Sequence, residues 1–220
     1  MWNKLIELWN TDNLLEQAWK QSYQMLHIAE EMFLEAIQVL RHTHGTDVGA
    51  EVRSKDRIVD AYQQDVRRKV LTHCAIRGAS QVPGGMALVT IVIDIERIGD
   101  YARHMVDLAA NYPNQLDGGK YEEELQRVES AVKDNFTRTR HCIETGDERE
   151  AARLLLEYAW VKKGCYDRLM AMVRDTDSAM PATQAVALAL YLRWLKRINA
   201  HLLNIATSVI EPFDRIGVKQ

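Results

Sequence analysis

The sequence has few of the residues and patterns that indicate disulfide frameworks or membrane spans. Only three of its 220 residues are cysteine, Cys74, Cys142 and Cys165, and no two of them form a Cys-x-x-Cys pair. This pattern argues against a disulfide framework and a zinc ribbon, and it is typical of buried or half-buried free thiols in a reducing compartment. The longest apolar run, residues 82–93, contains a proline and two glycines and is shorter than the roughly 20 residues that a bilayer requires.

An excess of charge of one sign is also missing. The net charge is −3, and no Lys/Arg block dominates any part of the chain, which argues against a nucleic-acid partner held by bulk charge. The first ten residues carry Lys4 and Glu7 within an apolar pattern and are not followed by a small-residue cleavage site, so no signal peptide is predicted. We therefore expect a cytoplasmic protein that neither spans a membrane nor binds nucleic acid.

Strand signals are absent, and proline and glycine occur between long segments with helical periodicity. Hydrophobic residues make up 47% of the chain, which is enough for a substantial core, while alternating β-branched runs and Asn-Gly turns are missing. The sequence predicts an all-α protein with a short helix over residues 3–9. Six long helices are then predicted, over about 13–42, 47–76, 83–111, 120–144, 147–174 and 181–211.

The third and sixth predicted helices look like two copies of one helix. Adding 100 to each residue number carries the apolar stripe of the third helix onto that of the sixth, and Arg97-Ile98 recurs as Arg197-Ile198. A shared helical period explains part of this match, but the repeated Arg-Ile pair and the prolines that open both helices favour an internal duplication. We predict two tandem three-helix bundles, formed by residues 1–115 and 116–220.

Two pairs of carboxylates stand beside the apolar stripes of the second and third helices. Asp56 and Asp60 are four residues apart, as are Glu96 and Asp100, so each pair lies on one helix face. If the helices are neighbours, four carboxylates converge, and two unit charges about 4 Å apart repel by roughly 4 kcal/mol at an effective dielectric near 20. A divalent cation would relieve this repulsion. His104, one turn beyond Asp100, is an additional candidate ligand.

The same residues permit an alternative without a metal. Arg57, Arg97 and Arg103 stand next to the carboxylates and can neutralise them as ordinary ion pairs. The other histidines show no metal-ligand spacing and are expected at the surface or at helix ends. They are His27, His42, His44, His73, His141 and His201.

The string Glu96-Arg97-Ile98-Gly99-Asp100 resembles the signature of the PhoU family of phosphate-uptake regulators. The upstream Asp56-x-x-x-Asp60 motif and a second signature, Lys196-Arg197-Ile198-Asn199-Ala200, extend the resemblance over the whole chain. The resemblance implies a non-enzymatic cytoplasmic regulator that couples a phosphate transporter to a sensor histidine kinase. It also implies metal ions on acidic helix faces, here at the two carboxylate pairs, and it leaves a homodimer open.

The second copy departs from this pattern. Lys196 and Ala200 stand where the first copy has its signature acids. The fifth helix has no acidic pair at the positions that correspond to the second-helix acids, which are Trp160 and Gly164 or, one residue earlier, Ala159 and Lys163. A divalent metal or iron is therefore expected in the first bundle only.

Other functions stay open on the sequence alone. A carboxylate-bridged di-metal enzyme in a helical bundle usually needs Glu-x-x-His pairs on two helices, and the chain has none. A phosphate-binding module would need a glycine-rich phosphate loop, and Gly84-Gly85 at a helix start is a weak substitute. A specialised adaptor for another transporter remains an alternative, because the second copy has lost its acids.

Overall fold

The computed structural model describes residues 14–43, 49–174 and 180–217, and all regular elements within these ranges are helical. The described α-helices are α1 (Leu14–His42), α2 (Ala50–Arg77), α3 (Val82–Asn111), α4 (Glu122–Thr145), α5 (Glu148–Glu157), α6 (Ala159–Arg174) and α7 (Ala182–Ile210). Short 3-10 turns lie at Ala79–Gln81, Gly119–Tyr121 and Phe213–Arg215. The predicted all-α class is confirmed, whereas the short helix predicted over residues 3–9 lies outside the described residues.

Helices α1, α2 and α3 pack against one another as the first bundle. Their apolar stripes meet in a core that includes Phe33, Val59 and Ile95, each at most 1% exposed. Helix α2 begins directly after Gly49, which has a φ of 84° and lies against α3. A Cβ on Gly49 would sit 1.7 Å from Val106 Cγ1, so this approach of chain to helix requires glycine.

Helices α4 to α7 form the second bundle around α7, and the predicted tandem-bundle fold is confirmed. One detail differs, because the predicted helix over 147–174 is interrupted at Tyr158 and becomes α5 and α6. The Tyr158 carbonyl accepts hydrogen bonds from the backbone of Val161 and from Asn199 Nδ2, the latter at 3.2 Å. A tertiary partner on α7 therefore satisfies a carbonyl that leaves the helical ladder.

The two bundles meet where α3 packs against α7 in antiparallel fashion. Asn204 on α7 donates to Asp94 on α3 at 3.2 Å, and the rings of His104 and Trp194 lie 5.9 Å apart. With the offset of 100 residues, Asp94 is equivalent to Trp194 and His104 is equivalent to Asn204. The contact of Asp94 with Asn204 is therefore equivalent to the contact of Trp194 with His104. The internal repeat therefore places α3 and α7 about a local pseudo-twofold axis.

A second contact between the bundles joins α1 to α4. The rings of Phe33 and Phe136 stack 5.9 Å apart. Nearby, the buried Arg41 on α1 pairs with the buried Glu129 on α4 at 3.0 Å, and the hydroxyl of Tyr191 donates to Glu129 at 2.7 Å. Because the bundles share this buried network, the proposed division into domains 1–115 and 116–220 stays a prediction.

Candidate functional site

The predicted carboxylates lie together on the outer side of α2 and α3, and we call Asp56, Asp60, Glu96 and Asp100 the acidic face. Burial raises the pKa of Asp56, and the negative charges of Asp60 and Asp100 raise it further, against the lowering effect of Arg103. The pKa of Glu96 is also raised, first by burial and then by Asp100, with smaller contributions from Asp60 and Asp56. The four side chains are therefore within electrostatic range of one another.

Arginines on α3 neutralise part of the acidic face. Arg103 holds Asp56 at 3.0 Å and Asp100 at 3.4 Å, and it also reaches Asp107 at 3.2 Å. Arg97 contacts Asp100 at 3.3 Å. The ion pairs that the sequence offered as an alternative to a metal are thus present for Arg97 and Arg103.

Two carboxylates of the acidic face are less well compensated. Glu96 reaches the Nε atom of its neighbour Arg97 only at 3.7 Å. Asp60 is exposed, and it forms no ion pair with a described residue. The remaining negative charge is consequently concentrated at the Asp60 and Glu96 side of the face.

His104 lies at the edge of the acidic face, next to α7. Its Nε2 atom is 3.3 Å from an Arg103 guanidinium nitrogen, and its ring lies 6.2 Å from that of Tyr101 and 5.9 Å from that of Trp194. The ring therefore contacts both Arg103 and the interface between the bundles.

The donor types of the acidic face fit a hard divalent cation, since such ions prefer carboxylate oxygens. The geometry, however, is not that of a complete metal site. Among the described residues no three His, Cys, Asp or Glu side chains are grouped so that they could hold a metal ion. Arg103 lies between Asp56 and Asp100 and would have to move before a cation could use both. The metal roles of the acidic face and of His104 stay predictions.

A buried pair that the sequence analysis did not identify lies between the bundles. The carboxylate of Asp94 accepts the Nδ1–H of His201 at 2.6 Å, and both residues are buried. The expectation that His201 and His73 lie at the surface or at helix ends was wrong, because both are buried inside helices. Local sequence carries no signal for the pair, because its partners are 107 residues apart and meet only through the packing of α3 on α7.

The corresponding surface of the second bundle has aromatic and cationic side chains instead of acids. The guanidinium of Arg127 lies 4.5 Å from the ring centroid of Trp160, a cation–π contact. Burial raises the pKa of the Cys165 thiol to about 12, against the lowering effect of the nearby Lys196. A Cβ on Gly164 would meet the Trp160 ring at 3.3 Å. Among the described residues, the positions equivalent to the acidic face carry Lys196 and Ala200 on α7 and, on α6, Trp160 and Gly164 or Ala159 and Lys163, and none of these side chains is a carboxylate.

These features define a class of all-α protein. It consists of two helical bundles related by an internal repeat, and the first bundle carries an acidic face. Residues 23–109, which run from α1 to α3, match the family model of the PhoU domain. The fold is similar to the crystal structure of PhoU from Pseudomonas aeruginosa, with a TM-score of 0.80 and 21% identity over 90% of this chain and 95% of that chain.

A second solved structure gives the same result. It is the phosphate transport system regulatory protein PhoU from Streptococcus pneumoniae, with a TM-score of 0.72 and 12% identity over 96% of this chain and 95% of that chain. No curated protein matches the sequence. The match over α1 to α3 confirms the resemblance to the PhoU domain that the signature predicted.

Among the described residues, none of the helices combines the length and the apolar character needed to cross a bilayer.

Proposed function

We propose that this protein is a cytoplasmic regulator of phosphate transport and of phosphate-responsive signalling. The match of α1 to α3 to the PhoU domain supports the coarse role, because this family implies a regulator of phosphate uptake. The acidic face within that domain is the observation on which the proposal chiefly rests. It presents a compact patch of carboxylates, partly neutralised by arginine, on the outer side of α2 and α3.

The regulator acts by contact with other proteins and carries out no chemical step of its own. Its partners in this proposal are a component of a phosphate transporter and a sensor histidine kinase. A carboxylate patch with residual charge at Asp60 and Glu96 is suited to recognising basic groups or cations, because opposite charges guide association and set specificity.

A divalent cation or iron forms part of the proposal, in the first bundle only. It would be held by Asp56, Asp60, Glu96 and Asp100 in exchange for Arg103, and it would neutralise the charge that these side chains now impose on one another. Lys196 and Ala200 would offer it no ligand in the second bundle.

A deletion strain tests the function. In phosphate-rich medium, we expect the deletion to alter phosphate uptake and the activity of a phosphate-responsive reporter, and we expect the wild-type gene to restore both. Phosphate uptake and reporter activity that are unchanged in the deletion strain would contradict the proposal.

Complementation tests whether the acidic face contributes to the function. A gene carrying Asp60→Asn and Glu96→Gln should restore the phosphate response only in part, whereas the matched second-bundle variant Lys196→Gln should restore it fully. Equal complementation by both variants would show that the acidic face has no role in the mechanism.

The second candidate function is that of a PhoU-like adaptor for another transporter. It is favoured by one observation, namely that Lys196 and Ala200 replace the acids of the second copy. Capture of the tagged protein from cells grown with and without phosphate distinguishes the two candidates. The proposed function predicts that a phosphate transporter component is recovered, and the adaptor function predicts the subunit of a different transporter.

A further inference from the structure

Helix α7 carries an exposed stripe that is apolar at one end and basic at the other. From residue 186 to the end of the helix, the exposed residues are Val186, Leu190, Arg193 and Arg197. Residues three or four apart lie on the same side of a helix, so the four side chains form one row. Val186 is 60% exposed and Leu190 is 36% exposed. We call this row the α7 stripe, and it extends over roughly 17 Å at 1.5 Å per residue.

The two arginines of the α7 stripe are not neutralised by the described part of the chain. Arg193 forms no ion pair with a described residue. Arg197 donates from Nε to the hydroxyl of Tyr101 on α3 at 3.3 Å, and this partner is a hydroxyl rather than a carboxylate. The basic end of the stripe therefore presents positive charge to other molecules.

The equivalent arginine of the first copy shows why this charge is left over. On α3, Arg97 contacts Asp100 at 3.3 Å and its neighbour Glu96 at 3.7 Å. In the second copy an alanine and a lysine stand in place of these two acids. The loss of the acids therefore does more than remove candidate metal ligands, because it also leaves Arg197 without a counter-ion.

Lys196 adds positive charge beside the α7 stripe. Burial raises the pKa of the Cys165 thiol to about 12, and the charge of Lys196 acts in the opposite direction, so Lys196 lies on the α6 side of α7. The nearby carboxylate of Asp167 on α6 is held by Lys163 at 2.8 Å. Because Lys196 is half-buried and faces α6, a neutral residue at this position would leave the stripe itself intact.

We propose that the α7 stripe is a docking surface for an acidic segment of a partner protein, which presents apolar side chains followed by carboxylates. Charge complementarity selects this occupant, since uncompensated arginines attract carboxylates and can hold them through paired hydrogen bonds. Arginine is also enriched in protein interfaces, where it lies next to apolar surface such as that of Val186 and Leu190.

The length of the stripe sets the strength of the contact. A segment that docks along roughly 17 Å of one helix buries less area than a standard protein interface. We therefore expect a dissociation constant in the micromolar range and a contact that weakens as salt screens the exposed charges. The inference goes beyond the proposed function, which places recognition at the acidic face, and it does not depend on that function.

Fluorescence anisotropy with the full chain in the presence of EDTA tests the docking surface. The probe is a dye-labelled synthetic helical peptide of about 18 residues, long enough to span the stripe at 1.5 Å per residue. One face of this peptide carries leucines in the first half and glutamates in the second half. It should bind with micromolar affinity, and a control peptide with glutamine in place of each glutamate should bind at least about tenfold more weakly.

Charge-reversed variants locate the binding on the protein. Arg193→Glu/Arg197→Glu should bind the acidic peptide at least about tenfold more weakly, since it places like charges opposite each other. The matched control Arg57→Glu/Arg67→Glu makes the same charge change at two exposed positions of α2 and should bind like the wild type. Leu190→Ser should cause a smaller loss that does not depend on salt, because it removes apolar contact and no charge.

Hydrogen exchange of the wild-type protein provides a measurement that requires no variant. The acidic peptide should increase the protection of residues 186–197 and leave residues 56–71 unchanged. Equal binding of the two peptides, binding that survives the reversal on α7, or protection of α2 in place of α7 would each overturn the proposal. Phosphatidylglycerol vesicles that bind the wild type more tightly than the peptide, and that the reversal on α7 releases, would also overturn it by assigning the stripe to a membrane surface.

Discussion

The two bundles use the equivalent positions Gly99 and Asn199 in different ways. In the first bundle Gly99 faces apolar side chains, and a Cβ at this position would make an ordinary van der Waals contact with Met32 Cε of α1 at 3.5 Å. In the second bundle the buried Asn199 accepts a hydrogen bond from Asn135 at 2.9 Å and donates to the Tyr158 carbonyl at 3.2 Å. An apolar contact in one copy corresponds to a buried amide network in the other.

This difference extends to the surface. Helix α2 is continuous, so Asp56 and Asp60 stand one turn apart beside the acids of α3. The corresponding part of the second bundle is interrupted at Tyr158, and its surface carries Trp160 and Lys196. The comparison indicates that the repeat retains the helix packing, while the paired carboxylates of α2 and α3 have no counterparts at the equivalent described positions of the second copy.

Disrupting the buried ion pair between Arg41 and Glu129, which joins the two bundles, should give the largest effect on stability. Arg41→Met would leave Glu129 buried without its cation, and such a loss costs about 3–5 kcal/mol of unfolding free energy. Arg41 also pairs with Glu122, which adds to the expected loss. Urea unfolding followed by circular dichroism measures this quantity.

The control for this prediction is Arg149→Met, at an exposed position of α5, which should change the unfolding free energy by less than about 0.5 kcal/mol. A loss below about 1 kcal/mol for the Arg41 variant would mean that the two bundles do not depend on this contact.

Arg103 should limit the affinity of the acidic face for cations. Arg103→Gln frees Asp56 and Asp100, so we expect Mn²⁺ to bind about tenfold more tightly, which corresponds to about 1.4 kcal/mol. Isothermal titration calorimetry measures the affinity. Arg57→Gln removes the same charge from an exposed position without a described ion pair and should have a smaller effect. Equal gains in the two variants would indicate a general change of net charge.

The smallest expected effect is a stability change at Glu96. Burial and neighbouring carboxylates raise the pKa of Glu96 in the folded protein above its ordinary value of 4.5. The stabilising contribution of this carboxyl group is therefore present when the pH is below 4.5, and it is lost as the pH rises through the higher pKa of the folded state. Glu96→Gln removes that loss and should stabilise the protein at pH 7 by about 0.2–0.5 kcal/mol, the size of a like-charge pair four residues apart. The gain should vanish below pH 4.5 in thermal melts at several pH values.

The control for Glu96 is Glu31, whose pKa is lowered by its hydrogen bond with Lys55. For this residue the stabilising contribution is present above its ordinary pKa and is lost as pH falls through the lower folded pKa. Glu31→Gln should therefore destabilise the protein at pH 7. A Glu96 variant that loses stability in the same way would show that its carboxylate is stabilised by the fold.

The helices could be predicted because apolar periodicity and the prolines and glycines between segments are local signals. The offset of 100 residues between the copies also identified α3 and α7 as equivalent elements. The interruption at Tyr158 could not be predicted, because it depends on Asn199, a side chain 41 residues away that bonds the freed carbonyl.

The candidate site could also be predicted in part, because the spacing of residues along a helix is a local signal. The spacing of Asp56 and Asp60 placed both on one face of α2, and the signature placed Glu96 and Asp100 on α3. The selection of Arg103 rather than Arg57 as the main counter-ion is a consequence of how α2 and α3 pack, which the spacing of residues does not contain.

We propose that the first of the two copies binds a cation and the second does not, and anomalous diffraction tests this proposal directly. Crystals soaked with Mn²⁺ should show an anomalous peak within about 2.2 Å of carboxylate oxygens of the acidic face, and no peak beside Lys196 or Ala200. A peak in the second bundle, or an acidic face without a peak at saturating Mn²⁺, would contradict the account.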